Sequence, residues 1–186
     1  MTTIEAHAER ETLLGRLFVL GAQAQAHGSR TLDAHLAGTY DILLRWGAAP
    51  STCVAGMFHS VYGTNAFRHR CLSADERGTL EGFIGTDAER LVYLFSVSDR
   101  PAALIQALSY DGDAPTLVHR VTGEAIAVTR DELHELLAIE CANLLEQRAT
   151  AGFLEKIVGL SDEQRIALVG RAAARDLVSH VRPEAP

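Results

Sequence analysis

Four times in this chain a serine or threonine is followed three residues later by Glu or Gln and then by an apolar run: Ser73 to Glu76, Thr86 to Glu89, Thr129 to Glu132 and Ser161 to Gln164. A hydroxyl in that position accepts from a backbone N–H left open at the start of a helix, and the acidic or amide side chain reaches back to the capping residue. After Thr129 the residues Leu133, Leu136, Leu137, Leu144 and Leu145 recur at helical spacing. The pattern therefore predicts a mainly α protein. Earlier helices are expected over about residues 4–27, 31–46 and 51–61, with Gly47 closing the second and Pro50-Ser51 opening the third. One stretch breaks the rule. Thr116 to Val121, a glycine-containing turn at Thr122-Gly123-Glu124, and Ala125 to Val128 predict a small β-hairpin at about 116–128 that must lie against the helices.

The chain has 186 residues, which suits a single domain spanning 1–186, with a C-terminal helix at about 161–180 and a frayed tail from Arg182 to Pro186. Hydrophobic residues make up 47% and charged residues 22%, the balance of a folded globular chain. Seventeen basic against twenty-four acidic residues give a formal net charge of −7, which argues against nucleic-acid or anionic-membrane surfaces as partners. Lys156 is the only lysine, an imbalance that reads as coding bias. The first residues lack a basic region followed by an apolar run, and no stretch approaches the roughly 18 apolar residues of a membrane span, so a cytoplasmic protein is expected. Cys53, Cys71 and Cys141 are odd in number and widely spaced, as for buried free thiols rather than a disulfide framework.

The densest polar stretch begins where an apolar helix ends. Ala55-Gly56-Met57-Phe58 is followed by His59, Ser60, Tyr62, Thr64 and Asn65, then by Phe67-Arg68-His69-Arg70. Burying such groups without partners costs several kcal/mol each, so they are either satisfied internally or serve a ligand. His35 lies beside the apolar stripe of its own helix, formed by Leu32, Leu36, Leu43 and Trp46.

These residues resemble the HD superfamily of metal-dependent phosphohydrolases, nearest the branch of guanosine tetraphosphate hydrolases. In that family one helix supplies a histidine, a later helix supplies His-Asp, and a further helix supplies an Asp within Ala-Asp-Arg-Leu. His35 matches the first histidine and His59 the second, 59 − 35 = 24 residues apart. Phe83 to Val92 is similar to the Phe-Gly-x-x-Val-x-x-Leu-Val segment, with Ile84 inserted between Phe83 and Gly85, and Ala142-Asn143-Leu144-Leu145 occupies the Ala-Asp-Arg-Leu position. The resemblance covers about residues 27–147 and implies an HD-like helical bundle. Ser60 and Asn143 stand where the family has its two aspartates, and Gly63 and Thr64 replace a Glu-Asp pair. Two neutral groups in place of two carboxylates weaken divalent binding, so the usual metal-hydroxide hydrolysis is expected to be lost.

The replacements are nevertheless polar, as in a pocket put to another use. Two classes of function follow. The first is an enzyme acting on a small anionic molecule, phosphorylated or not, with or without a metal. His59 or His35 would be its acid/base or metal ligand, with Ser60, Tyr62 and Asn143 orienting the substrate. Glu140, three residues before Asn143, would lend a carboxylate to a His35, His59, Glu140 set for iron, manganese or zinc, or orient an imidazole; otherwise it is solvated or paired with an arginine. Thr64, Asn65, Arg68, His69 and Arg70, joined by Arg30, would hold the anionic group, the guanidinium fork being suited to phosphate or carboxylate. The second class is a non-catalytic module that binds a ligand or a partner protein on the same scaffold. The amphipathic helix after Ser161, with Ile166, Leu168, Val169 and Leu177, offers a surface for homo-oligomer formation or for covering the core.

Overall fold

The computed structural model describes residues 3–22, 26–27, 30–109, 112, 114–148 and 152–182. The expected tail at 183–186 lies outside the described residues, as does the side chain of Arg30. Helix α1 (Thr3–Val19) leads to two antiparallel two-residue strands, β1 (Ala26–His27) and β2 (Arg30–Thr31). Helices α2 (Leu32–Trp46) and α3 (Pro50–Phe58) follow, and a 3-10 turn (Ala74–Glu76) introduces α4 (Arg77–Ile84) and α5 (Thr86–Val97). The short helix α6 (Ala102–Leu108) precedes the antiparallel hairpin β3 (Thr116–Val118) and β4 (Ala125–Ala127). The long α7 (Arg130–Glu146) is followed by α8 (Phe153–Gly159), α9 (Asp162–Val169) and α10 (Arg171–Val181). The chain is mainly helical with a small hairpin where the sequence predicts one, in the register Thr116 to Ala127, Leu117 to Ile126 and Val118 to Ala125. No helix among the described residues is long and apolar enough to cross a membrane.

Helix α2 is central because its buried residues Leu32, Leu36, Tyr40 and Leu43 recur every three to four positions and face both α3 and α7. Gly47 ends it in the left-handed conformation, with φ of 73° and its N–H on the carbonyls of Leu43 and Leu44, and Pro50 opens α3 at its first turn. The two helices touch at Gly56, where an added Cβ would come within 2.2 Å of Leu43 Cδ1. One apolar core then runs from Leu13 and Leu17 of α1 through Phe58, Phe95, Leu133 and Leu136 to Leu177 of α10.

Three helix boundaries differ from expectation. The first helix ends at Val19 rather than near residue 27, because Gly21 turns left-handed and the N–H of Ala22 closes on the carbonyl of Leu17. The third ends at Phe58, and the chain coils through two tight turns to Gly63. The expected C-terminal helix is two helices, broken at Gly170, whose φ of 82° no helix interior accepts.

Candidate functional site

The polar residues singled out in the sequence divide between a buried network and an open cavity. In the network, His35 on α2 and His59 at the end of α3 are 1% and 2% exposed, and their ring centroids lie 5.2 Å apart, nearly perpendicular. His35 Nδ1 meets Glu146 Oε2 at 2.5 Å, a contact in which the carboxylate accepts. His59 Nδ1 donates to the carbonyl of Gly56 at 2.7 Å, which assigns the Nδ1 proton because a carbonyl only accepts. Glu146 reaches His35 by lying over Gly38, one turn along α2, where an added Cβ would come within 2.7 Å of Glu146 Cγ. Glu146 is absent from the sequence-based candidates, although it follows Asn143 by three residues and thus shares its helical face.

Next to His59 stands Phe95, with ring centroids 5.2 Å apart, and the Arg100 guanidinium carbon lies 3.4 Å from the Phe95 centroid. Arg100 is buried and uses all three of its nitrogens: Nε donates to the carbonyl of Phe95 at 2.8 Å, Nη1 to Glu140, and Nη2 to Asn65 Oδ1 at 3.1 Å. Burial pulls the guanidinium below its ordinary pKa, and the Glu140 carboxylate opposes that pull. Glu140 is therefore the partner of an arginine. The Asn143 amide oxygen accepts from Gln147 at 2.9 Å. The expected metal set of His35, His59 and Glu140 is not assembled, and no group of three or more His, Cys, Asp or Glu side chains suited to a metal ion occurs among the described residues. A hard divalent ion calls for anionic oxygens, and the one carboxylate expected to supply them is neutralised by Arg100. These donors do not fit iron, manganese or zinc.

Tyr62 also departs from the substrate-orienting role. Its hydroxyl donates to Glu89 Oε1 at 2.9 Å, and Arg77 grips both oxygens of Glu89 at 2.7 and 2.6 Å while lying over the Tyr93 ring. Burial, and then the Glu89 carboxylate, push the Tyr62 phenol well above its ordinary value. Ser60 is buried in the turn after α3.

The other candidates converge on a cavity of about 910 Å³ between the 63–70 loop, the start of α6 and the hairpin turn. Thr64, Asn65, Arg68 and Arg70 line it. The loop is held by its own backbone and by Thr64, whose Oγ1 accepts from the N–H groups of Ala66 and Phe67 at 3.2 and 2.9 Å. Gly63, with φ of 72°, lets residues 67–70 fold back, since a Cβ there would be 3.0 Å from Arg70 Cγ. Asn65 fixes the inner wall: its amide nitrogen donates to Asp99 Oδ1 at 3.1 Å and to the carbonyl of Arg100 at 2.9 Å. His69 is not among the lining residues and instead faces the Phe67 ring, with centroids 6.0 Å apart. The two histidines expected at the heart of the site, His35 and His59, do not line this cavity; Asn65 and Arg100 connect its wall to them.

The hairpin adds two groups that the sequence did not mark. Arg120 faces the cavity and anchors its Nε on the carbonyl of Ser96 at 2.9 Å. His119 Nδ1 accepts from the N–H groups of Val121 and Thr122 at 3.2 and 3.1 Å, so its ring proton is on Nε2. Among the described residues, Arg68 and Arg70 form no ion pair and Asp99 is the only carboxylate lining the cavity. The result is a donor-rich concavity within the size range of small-molecule sites, roughly 300–1,000 Å³.

Residues 16–100 match a family described as a domain of unknown function (DUF6817), a span short of half the 186-residue chain. It includes His35, His59, Asn65, Arg68, Arg70 and Arg100, and stops before the hairpin and α7. No curated protein and no solved structure matches the chain.

Proposed function

We propose that this protein binds a small anionic molecule in the cavity between the 63–70 loop, α6 and the hairpin, on a scaffold of HD-like ancestry. One observation carries the reading: Arg68, Arg70 and Arg120 open onto one cavity with a single carboxylate among its described lining residues. Several other guanidiniums pair with carboxylates, as in Arg10 with Asp41, Arg90 with Glu132 and Arg77 with Glu89, whereas none of the three cavity arginines does so among the described residues. Arg68 and Arg70, on a loop held by internal hydrogen bonds, and Arg120, anchored on the Ser96 carbonyl, supply forked donors for phosphate or carboxylate. The HD-like part of the proposal rests on His35 and His59, which lie on adjacent helices at the sequence spacing of that superfamily. No hydrolytic step is derived from them, because Glu140 is engaged by Arg100 and neutral Ser60 and Asn143 stand at the aspartate positions. The role supported best is therefore ligand binding.

Calorimetric titration of the whole protein with inorganic phosphate and pyrophosphate tests this. The Arg68→Ala, Arg70→Ala double variant should bind either anion at least about tenfold more weakly, since each charge-assisted hydrogen bond contributes about 1.5–3 kcal/mol. Its Tm should stay near that of the parent, because both side chains are exposed and form no ion pair among the described residues. Unchanged affinity in the double variant would overturn the assignment.

A further inference from the structure

The cavity holds a second chemical signal, and its use rests on the binding role just proposed. Asp99 lines the same cavity as the three arginines, yet among the described residues it forms no ion pair with any of them. Its Oδ1 accepts from Asn65 at 3.1 Å, and no hydrogen bond among the described residues engages Oδ2. Asn65 in turn is fully committed, donating to Asp99 and to the Arg100 carbonyl and accepting from the buried Arg100. That network fixes the carboxylate from behind, through a guanidinium that is itself held by Glu140. Gln106, on the α6 side of the cavity, adds an amide with both a donor and an acceptor. The cavity therefore presents two unlike walls: cationic forks from the loop and the hairpin, and an acceptor pair at Asp99 and Gln106. An anion alone satisfies the first and leaves the second unused.

Charge narrows the class further. Among the described lining residues, three guanidiniums against one carboxylate leave an excess of two positive charges. A phosphate monoester carries about −1.5 to −2 at neutral pH and matches that excess, whereas a carboxylate supplies about −1. We infer that the ligand is a hydroxylated phosphate monoester, its phosphoryl oxygens on Arg68, Arg70 and Arg120 and a hydroxyl of its carbon skeleton donating to Asp99 Oδ2. In this arrangement Asp99 selects for hydroxyls, and the arginines supply affinity. The discrimination is that of a positioned polar group, because a ligand lacking the hydroxyl makes no direct hydrogen bond to Asp99 Oδ2 and leaves this exposed carboxylate to water.

The test compares inorganic phosphate, ethyl phosphate, glycerol phosphate and glycerate by calorimetry on the full chain. Glycerol phosphate should bind at least about tenfold more tightly than ethyl phosphate and than glycerate. Asp99→Asn keeps an oxygen for Asn65 and turns the second acceptor into a donor. It should abolish the preference for glycerol phosphate while leaving ethyl phosphate bound as tightly or more tightly. Glycerol phosphate binding no better than ethyl phosphate, or a preference that survives Asp99→Asn, would overturn the hydroxyl assignment. Glycerate equal to glycerol phosphate would overturn the phosphate assignment. Failure of the underlying binding role has a different signature: no anion binds, or the Arg68→Ala, Arg70→Ala variant binds all of them like the parent.

Discussion

At the scale of single residues, glycines of opposite consequence show how closely local space controls this molecule. Gly38 has no side chain to keep Glu146 from His35, and an alanine there would press its Cβ into Glu146 Cγ at 2.7 Å. Gly38→Ala should lower stability by about 1–3 kcal/mol, as overpacking does. Gly82, in the exposed middle of α4, meets nothing within 4 Å, so Gly82→Ala should raise stability by about 0.5–1 kcal/mol through helix propensity. Urea unfolding of both variants checks the two signs, and a stabilised Gly38→Ala would mean that Glu146 does not lie over α2. At this scale the sequence marked Thr64, Asn65, Arg68 and Arg70, which line one cavity, because a polar run after an apolar helix is a local pattern. Arg120, His119 and Asp99 stayed hidden because they reach the cavity only when the hairpin and α6 fold onto the loop, across tens of residues of chain. Tyr62 and Glu140 pointed to a site for the opposite reason. Each is an ionisable group in a suggestive position whose charge partner, Arg77 with Glu89 or Arg100, is distant in sequence.

At the scale of elements, capping decides where helices start. Thr129 accepts from the Glu132 N–H at 3.0 Å and Glu132 answers on the Thr129 N–H at 2.7 Å; Ser161 and Gln164 repeat the exchange at 3.2 Å in both directions. Thr129→Ala should cost about 1 kcal/mol, read as a lower Tm. Thr86→Ala should cost clearly less, because Thr86 donates to Glu81 instead of capping and Glu89 points inward to Arg77 and Tyr62. Equal losses at the two threonines would contradict this difference. The four-residue pattern is identical in sequence at both sites. What separates them is the pair Tyr62 and Arg77 competing for the buried Glu89, and a glycine, Gly85 at φ of 82°, that already turns the chain before α5. Ser73 and Glu76 do form a capping box, but around the 3-10 turn that precedes α4. Helix ends fixed by a left-handed glycine after an apolar stripe, such as Gly47, were legible; the break at Gly170 inside a continuing amphipathic pattern was not.

At the scale of the whole molecule, acid groups with high ordinary pKa values are gathered in the core. Burial pushes the Tyr40 phenol and the Cys53 thiol up to about 12, and raises Tyr62 and Cys141 further above their ordinary values. In the unfolded chain these groups ionise near their ordinary values of about 10 for phenol and about 8.5 for thiol. The stability they contribute is complete below about pH 8.5 and is lost as pH rises through 12, since the unfolded state gives up its protons first. Alkaline titration should therefore show the phenolate absorbance of the buried tyrosines appearing together with loss of helical circular dichroism, with the transition between about pH 9 and 12. Phenolate formation in a fully helical protein would contradict that coupling. In the folded protein, Arg68, Arg70 and Arg120 line the cavity between the 63–70 loop and the hairpin on a body whose formal net charge is −7. Seen by an anion diffusing in from solution, the protein as a whole repels, and the attraction of Arg68, Arg70 and Arg120 takes over only within about a Debye length, near 8 Å at physiological salt. In the binding role proposed above, such a crevice would capture by fit at close range and not by long-range steering, and raising the ionic strength would remove the outer barrier before it weakened the inner grip.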